Sequence, residues 1–118
     1  MLYAKKLIAK VLQYLIVKSA SIKLSYKDGA TNAFFYKQGN VVNFTSTADW
    51  KNLPAGSSAN IGTIPEGFRP AQLVQLNEAT LGRKTLFLYA NGRIDVYNYD
   101  SQATAANGRY QCCYITQD

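Results

Sequence analysis

No histidine occurs in the 118 residues of this chain. That removes the side chain whose ordinary pKa best suits proton transfer near neutral pH, and with it the commonest metal ligand. Cysteine is confined to Cys112 and Cys113, which are adjacent. On a strand, neighbouring side chains point to opposite faces, so these sulfurs do not readily meet in a bond, and a reduced pair made in a reducing cytoplasm is expected. Acids are missing from the whole opening stretch: Lys5, Lys6, Lys10, Lys18, Lys23 and Lys27 all precede the first carboxylate, Asp28. Those six lysines account for the net charge of +6, because the seven later cations are matched by seven acids. A body without net charge lacks the basic stripe that follows a phosphate backbone, and this weighs against nucleic acid as a partner.

Phosphate-cradling glycine loops, metal-ligand spacings and nucleophile elbows are also absent from the sequence. The acids are scattered; Asp95 and Asp100 are close in number but flank the end of one strand-like run. The expectation is a binding protein with no cofactor and no metal, not an enzyme. Paired glycosidase carboxylates can come from distant positions, which leaves a glycan-cleaving enzyme as the catalytic alternative. No long hydrophobic run is present either. Lys10 interrupts the apolar start, no small-residue cleavage site follows it, and the segment is too short and too charged for membrane insertion.

What is present divides the chain into residues 1–18 and residues 19–118. From Leu2 to Val17 there is no glycine or proline, and Ala4, Ile8, Val11 and Leu15 recur at helical spacing with Leu7 and Leu12 alongside. The spacing predicts an amphipathic helix, although the β-branched and aromatic run from Tyr14 to Val17 equally suits the start of a strand. Its apolar arc needs a partner: its own domain, an inter-subunit bundle, or a membrane surface.

After Lys18 the period becomes two. Ala20, Ile22, Leu24 and Tyr26 fall on one face, and Ser21, Lys23 and Ser25 on the other. Lys27-Asp28-Gly29 closes this strand. Residues 33–37 and 41–47 form a hairpin around Gln38-Gly39-Asn40. A loop is expected from Asn52 to Asn60. Pro65-Glu66-Gly67 reads as a type II turn with proline and glycine at its second and third positions. Further strands follow at 71–76, 85–89, 94–99 and 109–116, with Asn91-Gly92 as a two-residue hairpin turn. About seven strands separated by turn signals predict a mainly β fold, an antiparallel sandwich or jelly roll.

Tyrosine is in excess, with nine copies, and Tyr89, Tyr97 and Tyr99 share one segment with Asn91, Arg93 and Asp95. In a hairpin, Ile94 and Val96 share one face, and Arg93, Asp95, Tyr97 and Tyr99 the other. Such a face suits sugar recognition: a ring covers the apolar side of a pyranose while Asp, Asn and Arg exchange hydrogen bonds with hydroxyls. The alternative is that the tyrosines only stabilise a half-exposed sheet by cross-strand pairing. Trp50 is either a ligand platform at a loop mouth or a core plug. Arg69, held between Phe68 and Pro70, has a structural or subunit-contact role.

Two segments carry a family likeness. Ile64-Pro65-Glu66-Gly67-Phe68-Arg69-Pro70 precedes a strand, and Asn91-Gly92-Arg93-Ile94-Asp95-Val96-Tyr97 continues a hairpin. With the closing aromatic strand they resemble the C-terminal, receptor-binding heads of phage tail-fibre and baseplate proteins, over residues 19–118. The resemblance implies a jelly-roll-like sandwich at the tail tip of a virion, a homotrimer attaching to bacterial cell-surface polysaccharide or teichoic acid beside other tail or baseplate proteins. Ala4, Ile8, Val11 and Leu15 would then line a short three-stranded stem. A structural baseplate or shaft component, making only virion protein contacts, is the second expectation.

Overall fold

A computed structural model describes residues 17–26, 29–49, 53–77, 84–99 and 107–117. Eight strands lie within them: β1 (Val17–Tyr26), β2 (Gly29–Gln38), β3 (Val41–Asp49), β4 (Ser58–Thr63), β5 (Val74–Asn77), β6 (Lys84–Leu88), β7 (Arg93–Asn98) and β8 (Asn107–Ile115). They build two four-stranded antiparallel sheets, in the orders β1-β2-β3-β8 and β4-β7-β6-β5. The mainly β, antiparallel sandwich expected from the alternating pattern is the fold. A jelly roll contains two Greek keys. One is present in the second sheet, where β5, β6 and β7 run consecutively and β4 returns beside β7. The first sheet is a meander of β1 to β3 closed by β8.

Period-two patterning explains why the sheets face each other. Leu24, Ala33, Phe35, Val42 and Phe44 from the first sheet are fully buried against Leu86, Leu88, Ile94 and Val96 from the second. Phe35 is the aromatic hub, with ring centroids 5.2 Å from Phe44 and 6.2 Å from Phe68. At one end the inner face turns polar: Lys84 and Asn98 oppose each other in register and both are buried. Asn98 donates from Nδ2 to the Leu53 carbonyl at 2.9 Å, while its backbone exchanges hydrogen bonds with Gly56 and Ser57. This pins the 53–57 segment to β7. An Asn98→Leu variant leaves the Leu53 carbonyl unpaired, an expected loss of about 1–3 kcal/mol, measurable by urea denaturation.

Several boundaries differ from the sequence expectation. Val17 and Lys18, assigned to the helical segment, pair with Gln38 and Lys37 and belong to β1. Their partners across the sheet, beyond the reach of helical periodicity, decide this. Ala4, Ile8, Val11, Leu15 and Trp50 lie outside the described residues. The expected loop to Asn60 is shorter, because β4 begins at Ser58. A bulge at Ile61 breaks the β4 alternation that would have announced it: Asn60 pairs with Asp95 and Gly62 with Ile94. In the Pro65 turn, Phe68 N–H donates to the Pro65 carbonyl and Gly67 has φ +87°. Glycine holds the third position as expected, whereas proline occupies the first position, not the second.

The β6–β7 hairpin is present, but its turn is longer than two residues. Gly92 N–H donates to the Tyr89 carbonyl and Tyr89 N–H to the Arg93 carbonyl, both at 2.9 Å, so the loop is Ala90-Asn91-Gly92. Gly92, at φ +96°, supplies the left-handed residue of this three-residue connection.

The adjacent cysteines take opposite faces of β8 and are free thiols, Cys112 half-buried and Cys113 exposed. Burial first, and the neighbouring Cys113 second, pushes the Cys112 thiol from 9.0 up to about 12. The Tyr114 hydroxyl is pushed up by burial and then by Cys112, and it donates to the Phe68 carbonyl at 2.5 Å. Both groups keep a proton in the folded chain that the unfolded chain releases as pH rises. Stability is therefore expected to be level below about pH 9 and to fall between pH 9 and 12. Urea midpoints measured across that range check this, and a midpoint that rises there would contradict it.

Candidate functional site

The four strands of the second sheet place the tyrosine-rich face, and register builds it row by row. Thr63 opposes Arg93; Asn60, Asp95, Phe87 and Gln75 form the next row; Ser58, Tyr97, Thr85 and Asn77 the one after. Along β7, Ile94, Val96 and Asn98 point into the core, so Arg93, Asp95 and Tyr97 must point out, with Tyr99 continuing the face. Tyr99 is 58% exposed, while Tyr97 and Tyr89 are half-buried. Thr85 is the exception, buried and donating to Asn77 Oδ1 at 2.8 Å.

The face has an aromatic part and a polar part. Tyr97 and Tyr99 lie with ring centroids 4.3 Å apart and planes inclined at 51°. Phe87 and Tyr89 form a second pair at 6.5 Å. On the same face, Arg93 Nε donates to Asp95 Oδ1 at 2.7 Å and Asn60 Nδ2 to the same oxygen at 3.3 Å. The hydrogen bond to Asp95, and then the Asp95 charge, hold the Arg93 guanidinium above its ordinary value. Nε is occupied, and the outer edge of the guanidinium faces solvent, with the side chain 55% exposed. Arg93 and Asp95 are the charged side chains among the described residues of this face, and they neutralise each other.

Of the residues singled out from the sequence, Tyr89, Arg93, Asp95, Tyr97 and Tyr99 come together here. Asn91 is adjacent, but its Oδ1 accepts the Arg93 backbone N–H at 3.0 Å, so its carbonyl oxygen serves the turn. Phe87 and Asn60 belong to the site and were missed. Phe87 on β6 shares parity with Tyr89 just beyond its end, a signal present in the sequence. Asn60 comes from a strand 35 residues away across a bulge and gives none.

The hairpin tip is held from outside. Arg69 Nε donates to the Ile64 carbonyl at 3.0 Å, Ile64 N–H to the Gly92 carbonyl at 2.7 Å, and Gln117 Nε2 to the Ala90 carbonyl at 2.7 Å. Arg69 is thus packed on the bare α-carbon of Gly92 within its own chain. A Cβ at position 92 would stand 2.5 Å from Arg69 Nε. Gly92→Ala combines that clash with a backbone angle alanine avoids, an expected loss of about 1–3 kcal/mol. The melting temperature should drop by roughly 5–15 °C. An unchanged melt would show that Arg69 can move aside at no cost.

No protein-family model matches the chain, and no curated protein matches it.

Proposed function

We propose that this domain is the receptor-binding head of a phage tail-fibre or baseplate protein, attaching the virion to saccharide on a bacterial surface through the outer face of its second sheet. The observation that carries the reading is the Tyr97–Tyr99 pair beside the hydrogen-bonded Asn60–Asp95–Arg93 cluster on an open strand face. Aromatic rings offer apolar cover to a sugar ring, and the cluster offers both donors and acceptors to its hydroxyls. The sandwich, together with the Pro65–Pro70 and Asn91–Tyr97 motifs, supports the family likeness. The head is proposed to act as a homotrimer, without catalysis.

The paired charges narrow the ligand. A phosphate-rich polymer needs uncompensated cations, whereas Arg93 already faces Asp95 at 2.7 Å. A neutral or zwitterionic cell-wall polysaccharide therefore suits this face better than teichoic acid. Binding of the full chain to purified cell walls, with competition by neutral polysaccharide and by teichoic acid, tests both statements. Retention on the walls and displacement by the neutral glycan are expected. Displacement by teichoic acid alone would overturn the ligand class, and no retention would overturn the receptor-binding reading. Release of reducing ends would replace it with the enzyme alternative.

A further inference from the structure

Three connections converge at one end of the sandwich: the Pro65–Pro70 turn, the Ala90-Asn91-Gly92 tip and the tail after β8. Loops gathered at a sandwich end are where binding residues concentrate, because a rigid scaffold positions them. Between the turn and the tail lies a cleft of about 260 Å3, lined by Glu66, Gly67, Arg69 and Gln117. That is a little under the roughly 300–1,000 Å3 of sites for drug-sized ligands, so it suits a single sugar-sized group. Neither Arg69 nor Gln117 belongs to the tyrosine-rich face, and the cleft has different chemistry from it.

The hydrogen bonds at this end leave particular atoms of the cleft to a ligand. Arg69 uses Nε on the Ile64 carbonyl; among the described residues it has no other hydrogen-bond partner and no carboxylate within ion-pair distance. Its two terminal nitrogens form the fork that matches a planar carboxylate with parallel hydrogen bonds. Gln117 donates from Nε2 to the Pro70 carbonyl at 3.2 Å and to the Ala90 carbonyl at 2.7 Å, which fixes the amide and leaves Oε1 to accept. Lys37 Nζ donates to the Gly67 carbonyl at 2.7 Å and brings a second cation to this wall. Two cations against the one carboxylate of Glu66 leave the cleft positive, unlike the neutralised Arg93–Asp95 pair. Glu66 in turn limits the ligand's charge. A dianion meets it as a like charge, whereas a monoanion with neighbouring hydroxyls can donate to Glu66 and to Gln117 Oε1.

We infer that this cleft binds a carboxylate flanked by hydroxyls on a sugar ring, the chemistry of a uronic acid, with the carboxylate on the Arg69 fork and the hydroxyls on Glu66 and Gln117. The bonds that tie turn, tip and tail together already hold these groups in place, so binding orders little. The inference goes beyond the saccharide face and does not rest on it.

Titrations of the isotope-labelled full chain with glucuronate, glucose, lactate and inorganic phosphate, followed by amide NMR, test it. Glucuronate is expected to shift the backbone signals of Gly67 and Gln117 and the Arg69 Nε–H signal. Glucose at the same concentration should leave them in place, and lactate and phosphate should bind more weakly. Arg69→Lys keeps the charge but loses the fork, and glucuronate should bind it at least about tenfold more weakly, as expected when a hydrogen bond between charged groups is lost. Glu66→Gln changes an exposed residue, keeps the fold, and should narrow the preference for glucuronate over phosphate by about two- to fivefold. This second variant decides the matter if Arg69→Lys does not fold. Equal shifts from glucose, or binding of lactate or phosphate as tight as that of glucuronate, would overturn the ligand class. No shift with glucuronate, unchanged affinity in a folded Arg69→Lys, or an unchanged preference in Glu66→Gln would overturn the site. Retention on cell walls is scored separately, so the saccharide reading fails or stands on its own result.

Discussion

Phe35→Ala should remove about 3–5 kcal/mol of stability, the usual result of emptying a fully buried aromatic site. Phe35 is fully buried, and its ring meets both Phe44 on the neighbouring strand and Phe68 in the β4–β5 connection of the second sheet. The rigid Pro65 turn holds Phe68, and Tyr114 donates to the Phe68 carbonyl. The cavity therefore cannot collapse by a local shift. Domains of this size have about 5–15 kcal/mol in total, so the variant forfeits a large share of it. Urea denaturation checks this. A loss under about 1 kcal/mol would mean that the two sheets do not close on Phe35.

Tyr97→Ala and Tyr99→Ala should each weaken binding to cell walls by roughly tenfold. That corresponds to about 1.4 kcal/mol, near the lower end of what covering a large apolar side chain contributes. The rings lie 4.3 Å apart, so removing one also releases its neighbour. The double variant should fall short of the product of the two single effects, because residues in contact do not act independently. Both side chains stand on the outer face, and the circular-dichroism spectrum should be unchanged. Wild-type affinity in both variants, with the fold intact, would move the binding site off this sheet.

These two predictions differ in how much of their basis could be read along the chain. Alternation in Ala20–Tyr26 and in Arg93–Tyr99 is local, and it assigned inner and outer faces that the burial pattern matches. Parity also makes Phe35 inward and Phe34 outward, although the residues are identical and adjacent. Turn chemistry was legible in kind but not in length. An Asn-Gly pair announces a hairpin, yet whether two or three residues close it depends on how Arg69, Ile64 and Gln117 grip the tip from other parts of the chain. The strand β4 was obscured because its bulge at Ile61 breaks the period on which strand reading relies.

By itself the amino-acid order determined that this chain makes strands, which side of each strand is apolar, and that the Tyr89–Tyr99 segment carries aromatic and hydrogen-bonding groups on one side. Only the tertiary structure decided which strands are neighbours. That brought Asn60 and Phe87 to the tyrosine-rich outer face of the second sheet and gathered Val17, Phe34, Tyr36, Val41 and Ile115 on the outer face of the first. The physical reason is that alternation is set within a few residues by backbone geometry, whereas sheet order is set by hydrogen bonds between segments tens of residues apart and by the burial of a shared core.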